Sequence, residues 1–144
     1  GPGEAEVVIL AGFGARKMRA LLAAADLFAL GVRQLVLQPT AGLPGLRSWL
    51  AQRGFGLDAE SVVREGSRGF ISSAWSPRAG PEVLSPLQTL VGKLDASQPL
   101  LRAWLESQRA HLARCRPRDE VLLGQVDGWL MRQGWPGPAF DPSP

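Results

Sequence analysis

Apolar residues run unbroken from Val7 to Ala11, give way to Gly12-Phe13-Gly14, and return at Met18, Leu21, Leu22, Ala25 and Phe28 ahead of Gly31. The first pattern is that of a strand buried on both faces. The second is that of a helix with one apolar stripe, over Arg16 to Phe28. Another unbroken run, Leu35-Val36-Leu37, closes on Gln38-Pro39. Strand, glycine turn, helix and strand make one βαβ unit, so Val7 to Leu10 and Gln34 to Leu37 are expected as adjacent parallel strands joined by a right-handed crossover. In such a unit ligands collect at the carboxyl ends of the strands, which here hold Ala11 to Ala15 and Gln38 to Thr40.

Helical spacing resumes at Leu43, Leu46, Trp49 and Leu50 and stops at Gly54. Phe55 to Leu57 and Glu60 to Arg64 offer short strands, and Gly66-Ser67-Arg68-Gly69 turns the chain into Phe70 to Trp75, an antiparallel finish to the sheet. Beyond Pro77, Gly80, Pro81 and Pro86 the period is only helical. Leu100, Leu101, Trp104, Leu105, Leu112 and Cys115 form one stripe, Pro117 interrupts, and Val121, Leu122, Val126, Trp129 and Leu130 form another, which predicts an antiparallel helical hairpin. The domain plan expected from these patterns is a half-sheet α/β domain over residues 1–76, a linker over 77–86, the hairpin over 87–133 and a loose, proline-rich tail over 134–144.

With 144 residues, 45% of them hydrophobic, the chain can bury a core, yet its longest apolar run is far short of the roughly 20 residues needed to cross a bilayer. No basic region precedes the first apolar run, so neither a signal peptide nor a membrane partner is expected. Cys115 stands alone, which excludes an internal disulfide and fits a reducing, cytoplasmic setting. The net charge of +3 permits nucleic-acid binding without demanding it. All of the 16 basic residues except Lys17 and Lys93 are arginine. His111, the lone histidine, has no cysteine or carboxylate partner at ligand spacing, so neither a metal site nor a histidine-based triad is expected.

Gly12-Phe13-Gly14 fails as a dinucleotide fingerprint, because Lys17 holds the third glycine position and no acid follows at the required distance. It can be a plain strand-to-helix turn or a ligand loop, and Gln38-Pro39 a strand terminator or a functional strand tip. Trp49, Trp104 and Trp129 lie on apolar stripes and read as core rather than as stacking platforms. Arg109, Arg114, Arg116 and Arg118 can track a phosphate backbone, or form a solvated face with favourable charge at a helix C-terminus. Arg102, Arg109 and Arg116 recur every seven residues and share a face, expected opposite the Trp104 stripe.

The succession Val8-Ile9-Leu10-Ala11-Gly12-Phe13-Gly14-Ala15, Leu35-Val36-Leu37-Gln38-Pro39-Thr40, Leu46-Arg47-Ser48-Trp49-Leu50, Gly54-Phe55 and Glu65-Gly66 resembles the bacterial tRNA (adenine-N1) methyltransferases of the TrmK type. That family shows an AGMGG turn, an LILQPN strand end, an LRxWL helix and an acidic strand leading to a YEI strand. The resemblance covers about residues 5–75. The hairpin resembles the family's C-terminal coiled coil in pattern only.

The resemblance implies a Rossmann-like class I methyltransferase fold, with S-adenosylmethionine as cofactor and tRNA as substrate. It places Gly12, Phe13 and Gly14 in the catalytic loop that meets the target base, Ala11 and Gly12 against the cofactor, and Gln38, Pro39 and Thr40 beside the substrate. Methyl transfer needs close in-line placement more than acid–base chemistry, which suits small residues in that loop. The departures are Phe13 for methionine, Ala15 for the second glycine, Thr40 for asparagine, and Gly69-Phe70-Ile71 for the aromatic–acid pair. A GTDHGYLP-like cofactor loop and the ribose-binding acid are not found in the sequence. Alone, the chain is therefore expected neither to bind S-adenosylmethionine nor to catalyse, and its first strand is expected to present an edge for self-association or for an N-terminal half. The competing expectation is a non-catalytic RNA- or protein-binding module on a degenerate half fold.

Overall fold

In a computed structural model the described residues are 6–66, 68–93 and 99–135. They fall in two compact units that divide between Leu94 and Asp95. The first contains β1 (Val7–Ala11), α1 (Ala15–Ala23), β2 (Gln34–Gln38), α2 (Leu43–Gln52), β3 (Phe55–Glu65), β4 (Arg68–Pro77) and α3 (Pro86–Val91), and the second α4 (Pro99–Arg114) and α5 (Glu120–Arg132).

The four strands lie in the order β1-β2-β4-β3. β1 and β2 are parallel neighbours, with Val7 opposite Gln34 and Ala11 opposite Gln38. β4 returns antiparallel to both β2 and β3. One α/β sheet with an antiparallel finish is therefore what the chain forms. Leu35 and Leu37 of β2, Phe55 of β3 and Trp75 of β4 pack in one cluster with Met18 and Leu22 of α1 and Leu46 and Leu50 of α2. Each such buried side chain contributes about 1.5–3 kcal/mol. The sheet face, more than helix propensity, thus holds helices of nine and ten residues, which are too short to be stable alone. On the other face Val7 is 50% and Ile9 69% exposed, and β1 has a neighbour on one side only.

Three expectations need correction in this unit. The first helix ends at Ala23, not Phe28, because the Asp26 carboxylate accepts from the Ala29 amide at 3.1 Å and its carbonyl from Leu30, which turns the chain away. Phe28 leaves the helical stripe and stacks on Phe55 with 5.1 Å between ring centres. The two short strands are one, β3, whose register shift between Leu57 and Ala59 marks a bulge.

Residues 77–86 are not a free linker, and the hairpin does not start at 87. The Arg78 amide donates to Gly54 and the Glu82 amide to Ala51, tying this stretch to the end of α2. Ser85 and Gln88 then form a reciprocal capping box that starts α3, whose Leu90 and Val91 are buried.

In the second unit α4 and α5 form the expected hairpin: Arg102 donates to the Gln133 carbonyl near one end and Arg109 to Asp127 further along, an antiparallel sequence of contacts. Its core stripe on α5 is Leu123, Val126 and Leu130, spaced three and four apart, whereas Val121, expected inside, is 73% exposed. Leu105 of α4 is fully buried and Trp104 and Trp129 are half-buried. Trp135, in the stretch expected as tail, is buried, and 136–144 lie outside the described residues. Among the described residues no helix is long and apolar enough to cross a membrane.

Candidate functional site

The carboxyl ends of β1 and β2 are where an α/β sheet offers ligand-binding loops. Here the two loops are locked together. The Thr40 amide donates to the Phe13 carbonyl at 2.9 Å, and the Ala15 amide to the Ala41 carbonyl at 3.0 Å, so residues 11–15 and 38–42 are pinned to one another. Register alone sets Ala11 beside Gln38. The expected cofactor-side and base-reading residues are thereby neighbours on one rim.

Within that rim the glycines differ. Gly12 has φ +83°, a left-handed conformation that a side chain resists, and lies exposed with nothing near its absent Cβ. Gly14 has φ −71°, and a Cβ there would meet Thr40 Oγ1 at an ordinary 3.9 Å. Only the first is required by the backbone. Gly42 is required twice over, by φ +79° and because its Cβ would come within 2.9 Å of the Ala15 Cβ, the point where the starts of α1 and α2 nearly touch.

Phe13 is half-buried against the core, and Lys17 Nζ stands 4.6 Å from its ring centre. Its ring therefore anchors the loop. Ala11, Gly12 and Thr40 are exposed, Gln38 is half-buried and Pro39 is buried. Among the described residues the Gln38 amide and Thr40 hydroxyl have no hydrogen-bond partner, which leaves one amide and one hydroxyl for a ligand. Neither strand tip carries a carboxylate. The rim thus offers backbone groups, an amide and a hydroxyl, suited to a base edge. The acid that would hold ribose hydroxyls of S-adenosylmethionine is not among them.

A residue that periodicity passed over locks α2 to the sheet. Arg47 is fully buried, donates through Nε and Nη2 to the Glu60 carboxylate at 2.7–3.0 Å, and gives Nη1 to the carbonyls of Thr89 and Leu90 at 2.8 and 2.7 Å. Burial holds its guanidinium below the ordinary range, with the Glu60 charge and hydrogen bonds working against that shift. Its signal was an arginine among the buried positions Leu43, Leu46, Leu50 and Ala51.

The hairpin arginines are largely occupied. Arg109 holds Asp127 at 2.8 and 3.3 Å, and that hydrogen bond keeps its guanidinium above the ordinary range. Arg116 donates to the carbonyls of Ala113 and Cys115 at the end of α4, and Arg118 reaches Glu120 at 3.5 Å. Arg114, and Arg132 on α5, have no such partner among the described residues. The heptad face of Arg102 and Arg109 points to α5 instead of away from the core, because Gln133 and Asp127 supply acceptors there. His111, expected without a cysteine partner, lies with Nε2 3.7 Å from Cys115 Sγ, one helical turn on. Among the described residues no group of three metal-ligating side chains forms.

Residues 1–71 match the sequence family described as methyltransferase domain. No curated protein sequence matches the chain. Among solved structures, the chain is similar to Streptococcus pneumoniae Sp1610, a proposed tRNA (m1A22) methyltransferase solved with S-adenosyl-L-methionine, with TM-score 0.67 and 25% identity over 84% of this chain and 56% of that one. It also shares its fold with M. capricolum TrmK in complex with S-adenosyl-homocysteine (TM-score 0.62, 13% identity, 90% and 58% covered). A third similar fold is the B. subtilis m1A22 tRNA methyltransferase TrmK (0.59, 19%, 92% and 63%). The chain thus spans about three fifths of the length of these structures. The resemblance to TrmK-type enzymes and the Rossmann-like methyltransferase fold both follow from these matches.

Proposed function

We propose that this chain is the target-base side of a tRNA (adenine-N1) methyltransferase-like protein that uses S-adenosylmethionine, acting in the cytoplasm. The observation that carries this reading is the interlocked rim at the β1 and β2 tips, where register sets Ala11 against Gln38. Gly12 and Gly14 leave room for a flat base, Gln38 and Thr40 bond its edge, and Phe13 and Pro39 fix the loop that receives it. The methyl donor, when bound, supplies the group transferred. Ala11 and Gly12 would border it, and its ribose contacts would come from an N-terminal half docked on the exposed β1 edge.

The test is transfer of labelled methyl to tRNA by the chain supplied with such an N-terminal half. Transfer is expected, and Gln38→Ala should lower it about tenfold or more by removing one base contact. A pairing that still binds tRNA yet transfers no methyl would favour the non-catalytic module, which the absence of a carboxylate at either strand tip also suits.

A further inference from the structure

The helical layer of the first unit carries cations that no acid answers. Arg16, Lys17 and Arg19 stand exposed on α1 and Arg53 at the end of α2, and neither helix contains an Asp or Glu. Among the described residues the ion pairs engage other arginines, Arg47, Arg78, Arg109 and Arg118. Between the helices runs a groove of about 600 Å³ lined by Arg16, Arg19, Gly42 and Gly45. Further along, a recess of about 390 Å³ is lined by Phe28, Trp49, Arg53 and Phe55. Arg19 of the groove and Arg53 of the recess meet at Trp49, itself a recess residue, with their guanidiniums 5.7 Å and 4.7 Å from its ring centre. Stacking engages the flat face of a guanidinium and leaves its N–H edge free for a phosphate, already oriented.

We propose that this α1–α2 groove is where the tRNA phosphate backbone lies while its target nucleotide enters the strand-tip rim; the proposal rests on the methyltransferase reading above. The groove opens at that rim, since Ala15 and Gly42, which line its near end, continue directly from the two locked loops. Its alternation of guanidinium and aromatic ring, ending at Phe28, which is 54% exposed, matches a chain of repeating anions and flat bases better than an acidic peptide, which lacks the bases.

Gly45 gives a clean probe, because a Cβ there meets nothing within 4 Å and the residue lines the groove floor. Binding of unmodified tRNA to the full chain, without cofactor, is measured against salt. Gly45→Glu should weaken binding about tenfold at low salt, while Gly45→Gln, of equal size, stays within about twofold. Combined Arg16→Gln, Arg19→Gln and Arg53→Gln should flatten the log–log salt slope by about 2 to 3. Equal effects of the two Gly45 variants with an unchanged slope would overturn this inference alone, whereas a wild type that binds no tRNA would remove the functional reading with it. Phosphatidylglycerol vesicles whose binding falls in the variants while tRNA binding does not would assign the groove to a lipid surface and likewise overturn it.

Discussion

Two sets of arginines, one on α1 and α2 and one on the α4–α5 hairpin, differ in what surrounds them, and that difference decides what each can do. On the hairpin, Arg102, Arg109, Arg116 and Arg118 already have acceptors: a carbonyl, a carboxylate, two helix-end carbonyls and a second carboxylate. A phosphate arriving there finds these guanidiniums already partly engaged. On α1 and α2, Arg19 and Arg53 rest on Trp49 and Arg16 lines an open groove, so a phosphate adds bonds without removing any. Clustering of positive charge in sequence is therefore a weaker guide to an anion site than the absence of a partner in the fold.

The largest effect should separate a buried pair from a half-exposed one. Arg47→Ala strands the Glu60 carboxylate in a fully buried setting and should cost about 3–5 kcal/mol in urea unfolding. Arg109→Ala breaks a pair whose side chains are 21% and 26% exposed, and should cost about 1 kcal/mol or less. Equal losses would mean that burial does not rank these arginines.

Next come the glycines at the head of the groove. Gly42→Ala, strained at φ +79° and pressed on Ala15, should lower stability by about 1–2 kcal/mol, while Gly14→Ala stays within about 0.5 kcal/mol. Thermal unfolding of the two variants side by side checks this, and a Gly14 variant as damaged as the Gly42 one would show that both loops are equally constrained.

A smaller change is expected from Trp49→Leu, which removes the ring under Arg19 and Arg53 but neither charge. Affinity for tRNA should fall a few-fold with the salt slope unaltered, consistent with about 0.5–1 kcal/mol for an exposed cation–π contact. A loss of slope instead would mean that the ring positions the charges rather than merely ordering them.

The smallest effect concerns the exposed pair Arg78–Asp58 in the first unit, which should behave as the hairpin pairs do. Burial raises the Asp58 carboxyl, but the hydrogen bonds from Arg78 and Ser76 and the Arg78 charge outweigh it and leave it below its usual value of 3.8. A depressed carboxyl contributes stability that is present above that value and lost as pH falls through the lower folded one. Asp58→Asn should accordingly reduce stability slightly near neutrality, with the difference from the unsubstituted chain fading as pH falls below 3.8, as acid titration of the unfolding midpoint would show.

The βαβ order and both strand tips were legible because Val7 to Ala11 and Leu35 to Leu37 are continuous apolar runs bounded by Gly12 and Pro39, signals that lie within a few neighbouring residues. The candidate rim followed, since its members sit directly beyond those runs. What was not legible depends on contacts distant in sequence. Arg47 meets Glu60 and the carbonyls of Thr89 and Leu90, so its place in the core could be inferred only from an odd charge on an apolar stripe. The stretch after Pro77 looked like a linker by composition, yet Gly54, Ala51 and Arg47 bind it through groups that any sequence would carry or that turn inward only when folded. The hairpin arginines looked free because Asp127 and Gln133, their acceptors, arrive from the next helix. The unanswered charge on α1 and α2 was visible in principle: between Glu6 and Asp58 the only acid is Asp26, against Arg16, Lys17, Arg19, Arg33, Arg47 and Arg53.

The most direct test of the central contrast is the salt dependence of tRNA binding for two neutralised chains measured together, one with Arg16, Arg19 and Arg53 changed to Gln and one with Arg109, Arg114, Arg116 and Arg118 changed to Gln. The first should lose about 2 to 3 from its log–log slope and the second about 1 at most, from Arg114 alone. A larger loss in the hairpin variant than in the groove variant would contradict the account.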